Sequence, residues 1–239
     1  MKYSEIRKFT PRKASHSLID ALCITISPFF TSIFVRHNIV PNKITLLMIL
    51  LGIIGTVLLL LPFIALKCIG ILFLLFWYVM DCCDGEVARI TQKFSKYGIE
   101  MDYVAHLICH PLFVIAVWCN FYQLDKYNLN IISFLSLLLI SNELIHRNFL
   151  SFDTYLNNKK AMIFSGISPT IRGSQIQKMK YVVSQLLVFP NIVVFFPLIL
   201  VLDFCGLINS YYVFFFIVCI NVLVGMKSII KRLMLFYDK

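Results

Sequence analysis

A run of 20 residues, 44–63, carries no charged side chain, and no other feature constrains the fold as strongly. No water is available inside a bilayer to pair with backbone amides and carbonyls. An apolar run of about 20 residues is therefore stable there as a helix, which satisfies these groups internally. Similar runs recur along the chain, of which 59% is hydrophobic and 14% charged. The sequence predicts an all-α, polytopic membrane protein.

Six transmembrane helices are predicted. They cover residues 44–63, 64–80, 103–124, 127–142, 181–202 and 211–226. Residues 44–239 would form one six-helix transmembrane domain. Residues 1–43 precede it as a cytoplasmic and interfacial segment, because the stretch 17–40 is amphipathic and is interrupted at Pro28.

Lysine and arginine are distributed unevenly between the two sides of such a bundle. Twenty of the 22 fall on the side of the termini, and only Lys67 and Lys126 fall on the other. Since cytoplasmic loops are enriched in these residues, both termini are predicted to be cytoplasmic. The basic residues that give the net charge of +10 border the spans, where they are attracted to anionic lipid headgroups. The charge therefore does not indicate binding to nucleic acid.

Polar residues cluster after the second predicted span, in DCCDGEVARITQKFSKYGIEMDYVAH (81–106). Asp81 and Asp84 share one helix face, and Asp102 and His106 share another, since residues three or four apart are neighbours on a helix. A short connection makes the two helices antiparallel neighbours, so the four side chains can converge. Crowded carboxylates at a membrane boundary repel one another unless a cation lies among them, and their hard oxygens suit Mg²⁺ or Mn²⁺. A divalent metal site is predicted.

The residues that follow the aspartates favour a phosphorylated ligand. Gly85 and Ala88 remove side-chain bulk from a strip of the helix, and Arg89 can pair with phosphate. For Asp81 and Asp84 taken alone, solvated charges at a helix end are the simpler interpretation. The spacing of the whole set favours a site.

The pattern resembles the signature of the CDP-alcohol phosphatidyltransferases, which reads D-x2-D-G-x2-A-R and, eight residues further on, G-x3-D-x3-D. Seven of the eight positions match: Asp81, Asp84, Gly85, Ala88, Arg89, Gly98 and Asp102. The segment VPNKITLLMILLG (40–52) is also similar to the Pro-Asn-x-x-Thr start of the first span in this family.

The resemblance implies a six-helix fold, a homodimer in the bacterial inner membrane, and an active site open to the cytoplasm. It implies that an acceptor hydroxyl attacks the phosphorus distal to cytidine in a CDP-alcohol, and that CMP leaves. By the same resemblance, Asp81, Asp84 and Asp102 would hold the metal. Gly85, Ala88 and Arg89 would contact the nucleotide, and Gly98 would let the next helix start close to the nucleotide. Asn42 and Thr45 would line the nucleotide pocket.

One position departs from the signature. His106 stands where the family has a fourth aspartate, which serves as a metal ligand and as the general base. A neutral imidazole can also accept a proton near neutral pH. His106 is therefore predicted to be the base and a metal ligand, with Asp102 as its catalytic partner. The alternative is that His106 only packs or orients Asp102 in an inactive member of the family. His110 is predicted to be packed or hydrogen-bonded and not to be a ligand.

The acceptor stays open at the level of sequence. Arg172, which precedes Gly173 in the polar loop 151–180, is the candidate for binding a phosphate on the acceptor. Either CDP-diacylglycerol donates to a small polar alcohol, or a small CDP-linked headgroup is transferred to a lipid or glycan hydroxyl. A non-enzymatic carrier or scaffold would need polar groups along several spans. The predicted spans are almost free of them, apart from histidine and Glu143, which is placed to pair with Arg147.

Overall fold

The computed structural model describes residues 5–7, 18–157, 189 and 191–237. Within these residues the regular structure is helical, with no strand. After one turn at residues 5–7, the helices are α1 (Leu18–Arg36), α2 (Pro41–Leu60), α3 (Ile64–Thr91), α4 (Gly98–Leu124), α5 (Leu129–Asn157), α6 (Asn191–Phe204) and α7 (Ser210–Tyr237). The predicted all-α class is confirmed.

Five helices are long and apolar enough to cross a membrane. The qualifying segments are Pro41–Leu60, Ile64–Thr91, Gly98–Leu124, Leu129–Phe149 and Ser210–Ile230. They correspond to five of the six predicted spans and support an integral membrane protein. The remaining predicted span, 181–202, is represented by the shorter α6, because most of residues 181–190 lie outside the described part of the chain.

Three helices extend beyond the predicted spans. The helix of the second span continues past Met80 to Thr91, which agrees with the helical placement of the motif aspartates. The third begins at Gly98, in agreement with the family resemblance, and the fourth continues to Asn157. Hydropathy locates the polar boundary of a span, whereas aspartate, glutamate and arginine are compatible with helix beyond that boundary. The predicted interruption at Pro28 is wrong, because α1 passes through this residue.

Tertiary contacts hold α1 against α3. The side chain of Glu86 in α3 is fully buried and accepts hydrogen bonds from Ser27 Oγ at 3.0 Å and Thr31 Oγ1 at 2.7 Å. These two donors lie on either side of Pro28. An ionised carboxylate buried between helices is stable only with such partners, so the pairing fixes α1 along the first half of the polar motif.

The bundle is built around α2, which packs closely on both α3 and α4. Glycine allows the closest approach: a Cβ on Gly70 of α3 would lie 2.8 Å from the carbonyl oxygen of Gly55 in α2. Helices in lipid gain little from burying apolar surface, so van der Waals contact at small residues is an important source of association. Next to this core, α5 packs on α4, α7 packs on α5, and α6 packs on α3.

The bundle has two ends, which are named here for the segments they contain. At the motif end, residues 92–97 connect α3 to α4. At the distal end, residues 61–63, 125–128 and 205–209 connect the other helices.

Candidate active site

The connection between α3 and α4 is short and well held. Gln92 is the residue that caps the C-terminus of α3, and it adopts a left-handed conformation with φ 54°. Its Nε2 donates to the carbonyl of Arg89 at 2.6 Å. That bond satisfies one of the carbonyls left without a partner at a helix end. Ser95 Oγ accepts from Asn42 Nδ2 at 2.9 Å and from the amide of Tyr97 at 3.2 Å. The start of α2 is thereby tied to the turn that begins α4.

Three of the four predicted metal ligands form a cluster at the motif end. Asp81 extends from α3, and Asp102 and His106 extend from α4. One ligand atom from each lies within 4.8 Å of the others. Nε2 of His106 is 3.5 Å from Oδ1 of Asp81 and 3.5 Å from Oδ1 of Asp102. Both helices pack on α2, and at this end their side chains reach one another across the space between them.

The carboxylate of Asp102 has unused bonding capacity. Its Oδ1 is buried, and among the described residues it has no hydrogen-bond partner. A separation of 3.5 Å from an imidazole nitrogen is too long for a hydrogen bond of normal strength. The Asp102 side chain as a whole is 45% exposed, so an ion can reach the carboxylate from solvent. An oxygen in this situation suits a cation.

The donor set fits a divalent metal ion. Its two carboxylate oxygens suit hard ions such as Mg²⁺ and Mn²⁺, and its imidazole nitrogen is a ligand more typical of transition metals than of Mg²⁺. Opposed ligand atoms around Mg²⁺ lie about 4.2 Å apart, since each bond is about 2.1 Å. The three ligand atoms lie within 4.8 Å of one another, so a small movement of the side chains would bring them to this spacing.

The fourth predicted ligand, Asp84, is held apart from this cluster. Its Oδ2 accepts a hydrogen bond of 2.8 Å from Oγ1 of Thr45, which is buried in α2. Sequence reasoning assigned Thr45 to a nucleotide pocket. Its observed contact is with a motif aspartate, which it orients toward the space between α2 and α3.

The other predicted contact residues lie around the same end. Arg89 is exposed, and its Nη1 would lie 3.1 Å from a Cβ on Gly85, so the guanidinium covers that glycine. Ala88 is half-buried and lies one turn beyond Asp84. A Cβ on Gly98 would meet only ordinary contacts, 3.6 Å from Ser95 Cβ, so the neighbouring side chains leave space there. The predicted anion-binding residue Arg172 lies outside the described residues.

A chain of hydrogen bonds extends from His106 into the bundle. Nδ1 of His106 is 3.2 Å from Nε2 of His110, and Nδ1 of His110 is 2.7 Å from Oε1 of Glu143 in α5. The same Oε1 accepts from Nε of Arg147 at 2.9 Å. The predicted pair of Glu143 and Arg147 is confirmed, as is the hydrogen-bonded role of His110.

The contact between His110 and Glu143 was missed at the level of sequence. A carboxylate near the end of an apolar span signals a buried partner, because an unpaired charge there is costly. The signal did not identify that partner, since the register of α4 against α5 is a tertiary property.

Comparison with known proteins agrees with this site. Residues 38–208 match the model of the CDP-alcohol phosphatidyltransferase family, so the chain belongs to that family. The matched segment contains the whole of the polar motif. A search of curated proteins finds no match for the chain. Members of the family transfer phosphate-linked groups from CDP-alcohols to alcohol acceptors in membranes, and they generally depend on a divalent metal.

Proposed function

We propose that the protein transfers a substituted phosphoryl group from a CDP-alcohol to an acceptor hydroxyl and releases CMP, in a reaction that depends on Mg²⁺ or Mn²⁺. Membership of the family supports the reaction class. The observation that carries the site is the buried, unpartnered Oδ1 of Asp102 beside Asp81 and His106. A cluster with excess negative charge and an unsatisfied oxygen is suited to hold a cation.

Asp81, Asp102 and His106 would hold the metal, with Asp84 oriented by Thr45 to contribute from the side. When bound, the metal would supply positive charge that stabilises the diphosphate as its phosphoanhydride bond breaks and CMP leaves. Gly85 and Ala88 would leave room for the nucleotide, Arg89 and Asn42 would contact it, and Gly98 would let it approach the start of α4. Arg172 would bind a phosphate on the acceptor.

His106 has two assigned roles that depend on one nitrogen. Nδ1 is engaged with His110, so Nε2 is the atom that faces Asp81 and Asp102. A single lone pair either binds a metal or accepts the proton of the attacking hydroxyl. His106→Gln separates these roles, because loss of a base alone lowers turnover about 10²- to 10⁴-fold and leaves Mn²⁺ affinity unchanged. Reduced Mn²⁺ affinity would assign a ligand role, and full turnover would exclude both.

The donor and acceptor define two branches. In one, CDP-diacylglycerol reacts with a small polar alcohol in phospholipid synthesis. In the other, a small CDP-linked headgroup is transferred to a lipid or glycan hydroxyl. The charge bias of the sequence supports a motif end that faces the cytoplasm, and the family resemblance supports a homodimer in the bacterial inner membrane.

The test is CMP release by the purified protein in detergent, with Mg²⁺ or Mn²⁺ and a panel of CDP-alcohols and acceptors. CMP is expected only with metal and with a matched pair of substrates, and a chelator should stop its release. Asp125→Asn is the matched control, because Asp125 is an exposed carboxylate at the distal end. Absence of CMP with every pair, together with absence of metal-dependent donor binding, would overturn the proposal and favour an inactive or non-enzymatic protein.

A further inference from the structure

We propose that His110 and Glu143 are positioning residues for His106. They hold its ring in the tautomer that carries the proton on Nδ1, so that the lone pair of Nε2 faces Asp81 and Asp102. This inference rests on the proposed function, since it explains how a histidine can serve where the family signature has an aspartate.

The direction of each hydrogen bond in this series can be deduced by starting from Arg147, its last member. A guanidinium can only donate, and an ionised carboxylate can only accept. Glu143 Oε1 accepts from Arg147 Nε at 2.9 Å, so the 2.7 Å contact with His110 requires a proton on Nδ1 of His110. A neutral imidazole has one donor and one acceptor nitrogen. Nε2 of His110 is then the acceptor.

The same logic continues to His106. Because Nε2 of His110 accepts, the 3.2 Å contact requires that Nδ1 of His106 donates. When the ring of His106 is neutral, Nε2 then has no proton and presents its lone pair to the cluster. This is the form of imidazole that binds a divalent metal or accepts a proton, and the hydrogen bond made by one ring nitrogen selects the state of the other.

The surroundings of the two imidazoles act in two directions. The carboxylates of Asp81 and Asp102, each 3.5 Å from Nε2 of His106, favour a proton on that nitrogen until a metal ion takes its place, whereas burial favours neutral rings. His106 and His110 are 4% and 2% exposed. The ring of Trp77 meets both at centroid distances of 5.3 Å and 5.7 Å, and Phe189 lies 4.6 Å from His110. Aromatic walls exclude water, which strengthens hydrogen bonds and makes a second buried cation beside Arg147 unfavourable. They also limit rotation of the rings.

The opposite direction of hydrogen bonding would prevent the cluster from binding a metal. If His110 donated through Nε2, then His106 would carry its proton on Nε2 and point an N–H group at Asp81 and Asp102. The imidazole would satisfy the carboxylates itself and could neither bind a metal nor accept a proton. Glu143, through His110, is what selects against this state.

The direct test is the ¹⁵N spectrum of histidine-labelled protein in detergent, because the two tautomers give different ¹⁵N shifts. The chain has five histidines, and the His106→Gln spectrum assigns the signal of His106 by its loss. We expect the proton on Nδ1 in the unmodified protein. The spectrum is recorded with saturating Mg²⁺, because the two carboxylates can otherwise hold a second proton on Nε2. A proton on Nε2, or the absence of one from Nδ1, would then overturn the inference without any need for turnover.

Variants test the consequence for the site. His110→Phe keeps a ring but removes the acceptor, and it should reduce Mn²⁺ affinity or kcat about 10- to 100-fold with the KM for the CDP-alcohol unchanged. His110→Gln, which can still donate to Glu143 and accept from His106, should recover most of the loss. Glu143→Ala should resemble His110→Phe, and Glu143→Gln should be milder because it keeps an acceptor oxygen.

Tyr103→Phe is the matched control. It removes a hydrogen bond between the same two helices, from Tyr103 Oη to Asn148 Oδ1 at 3.0 Å, and leaves the histidines untouched. If His110→Phe behaves like this control, the positioning role is wrong. If His110→Phe fails to fold, the spectrum of the unmodified protein and the Glu143→Gln variant still decide. If the unmodified protein releases no CMP, the proposed function fails, whereas the tautomer is tested independently.

Discussion

Two buried charged side chains at the distal end of the bundle have more hydrogen-bond partners than the aspartates at the motif end. At the distal end, the fully buried Nζ of Lys67 donates to three oxygens, on Leu59 at 3.0 Å, Asn120 at 2.6 Å and Gln123 at 2.8 Å. Asp203, also buried, accepts from Lys126, from Tyr127 at 2.8 Å, and from the amide of Ser210 at 3.0 Å. Each of these two buried distal charges has several hydrogen-bond partners.

The carboxylates at the motif end have fewer partners. Asp84 accepts from the hydroxyl of Thr45, Asp81 and Asp102 lie 3.5 Å from the imidazole of His106, and Oδ1 of Asp102 has no hydrogen-bond partner among the described residues. A saturated charge stabilises the fold and has no capacity for a ligand, whereas an unsaturated one retains that capacity at a cost in stability. Distal variants should therefore change stability and motif variants should change chemistry.

The largest effect is expected for Asp102→Asn. Replacing the unpartnered oxygen removes charge from the metal cluster, so CMP release should fall at least about 100-fold. The unfolding temperature should stay the same or rise, because repulsion among the carboxylates decreases. Mn²⁺ should raise the unfolding temperature of the unmodified protein and not that of the variant. If the variant is less stable but retains its turnover, Asp102 serves the stability of the fold and not the chemistry.

The next effect is expected for Lys67→Met, and it concerns stability. The substitution keeps the length of the side chain but leaves buried oxygens of Asn120 and Gln123 without their cation. Unfolding in mild detergent should show a loss of about 2–3 kcal/mol. The KM for the CDP-alcohol should not change. A strong loss of turnover with unchanged stability would instead place Lys67 in the chemistry.

Thr45→Val is a smaller change at the motif end. Valine has the shape of threonine but cannot donate to Asp84, which then loses its 2.8 Å hydrogen bond. Loss of a hydrogen bond to a carboxylate should weaken Mn²⁺ binding or turnover by about tenfold. Thr45→Ser, which keeps the hydroxyl, is the control. Equal loss in both variants would indicate that packing of the methyl group, and not the hydrogen bond, is what matters.

Lys126→Met should have the smallest effect. Its side chain is 43% exposed, so its ion pair with Asp203 is screened by solvent and should contribute less than about 1 kcal/mol. The hydrogen bond to Asp203 raises the pKa of Lys126 above its usual value. A raised lysine pKa adds stability below the ordinary pKa, and this contribution is lost only as the pH rises through the higher value. The effect should therefore be constant between about pH 6 and 9, as measured by unfolding at several pH values.

Interactions between residues close in sequence were predicted well. The pair of Glu143 and Arg147 and the shared face of Asp102 and His106 depend on the helical repeat, which the spacing of residues reveals. How far α3, α4 and α5 extend beyond the membrane spans is not given by hydropathy, since hydropathy reports the lipid boundary and not the end of hydrogen bonding. Continuation of α1 through Pro28 depends on Glu86, which lies in another helix.

The sequence by itself determined that this is an all-α membrane protein of the CDP-alcohol phosphatidyltransferase family, because long apolar runs and a spaced motif are local patterns. Only the tertiary structure decided that Asp81 joins Asp102 and His106 while Asp84 pairs with Thr45, and that Glu143 reaches His110. The physical reason is that spacing specifies the face a side chain occupies on its own helix. Its partner on a neighbouring helix depends on depth and rotation, which arise from packing of the whole bundle.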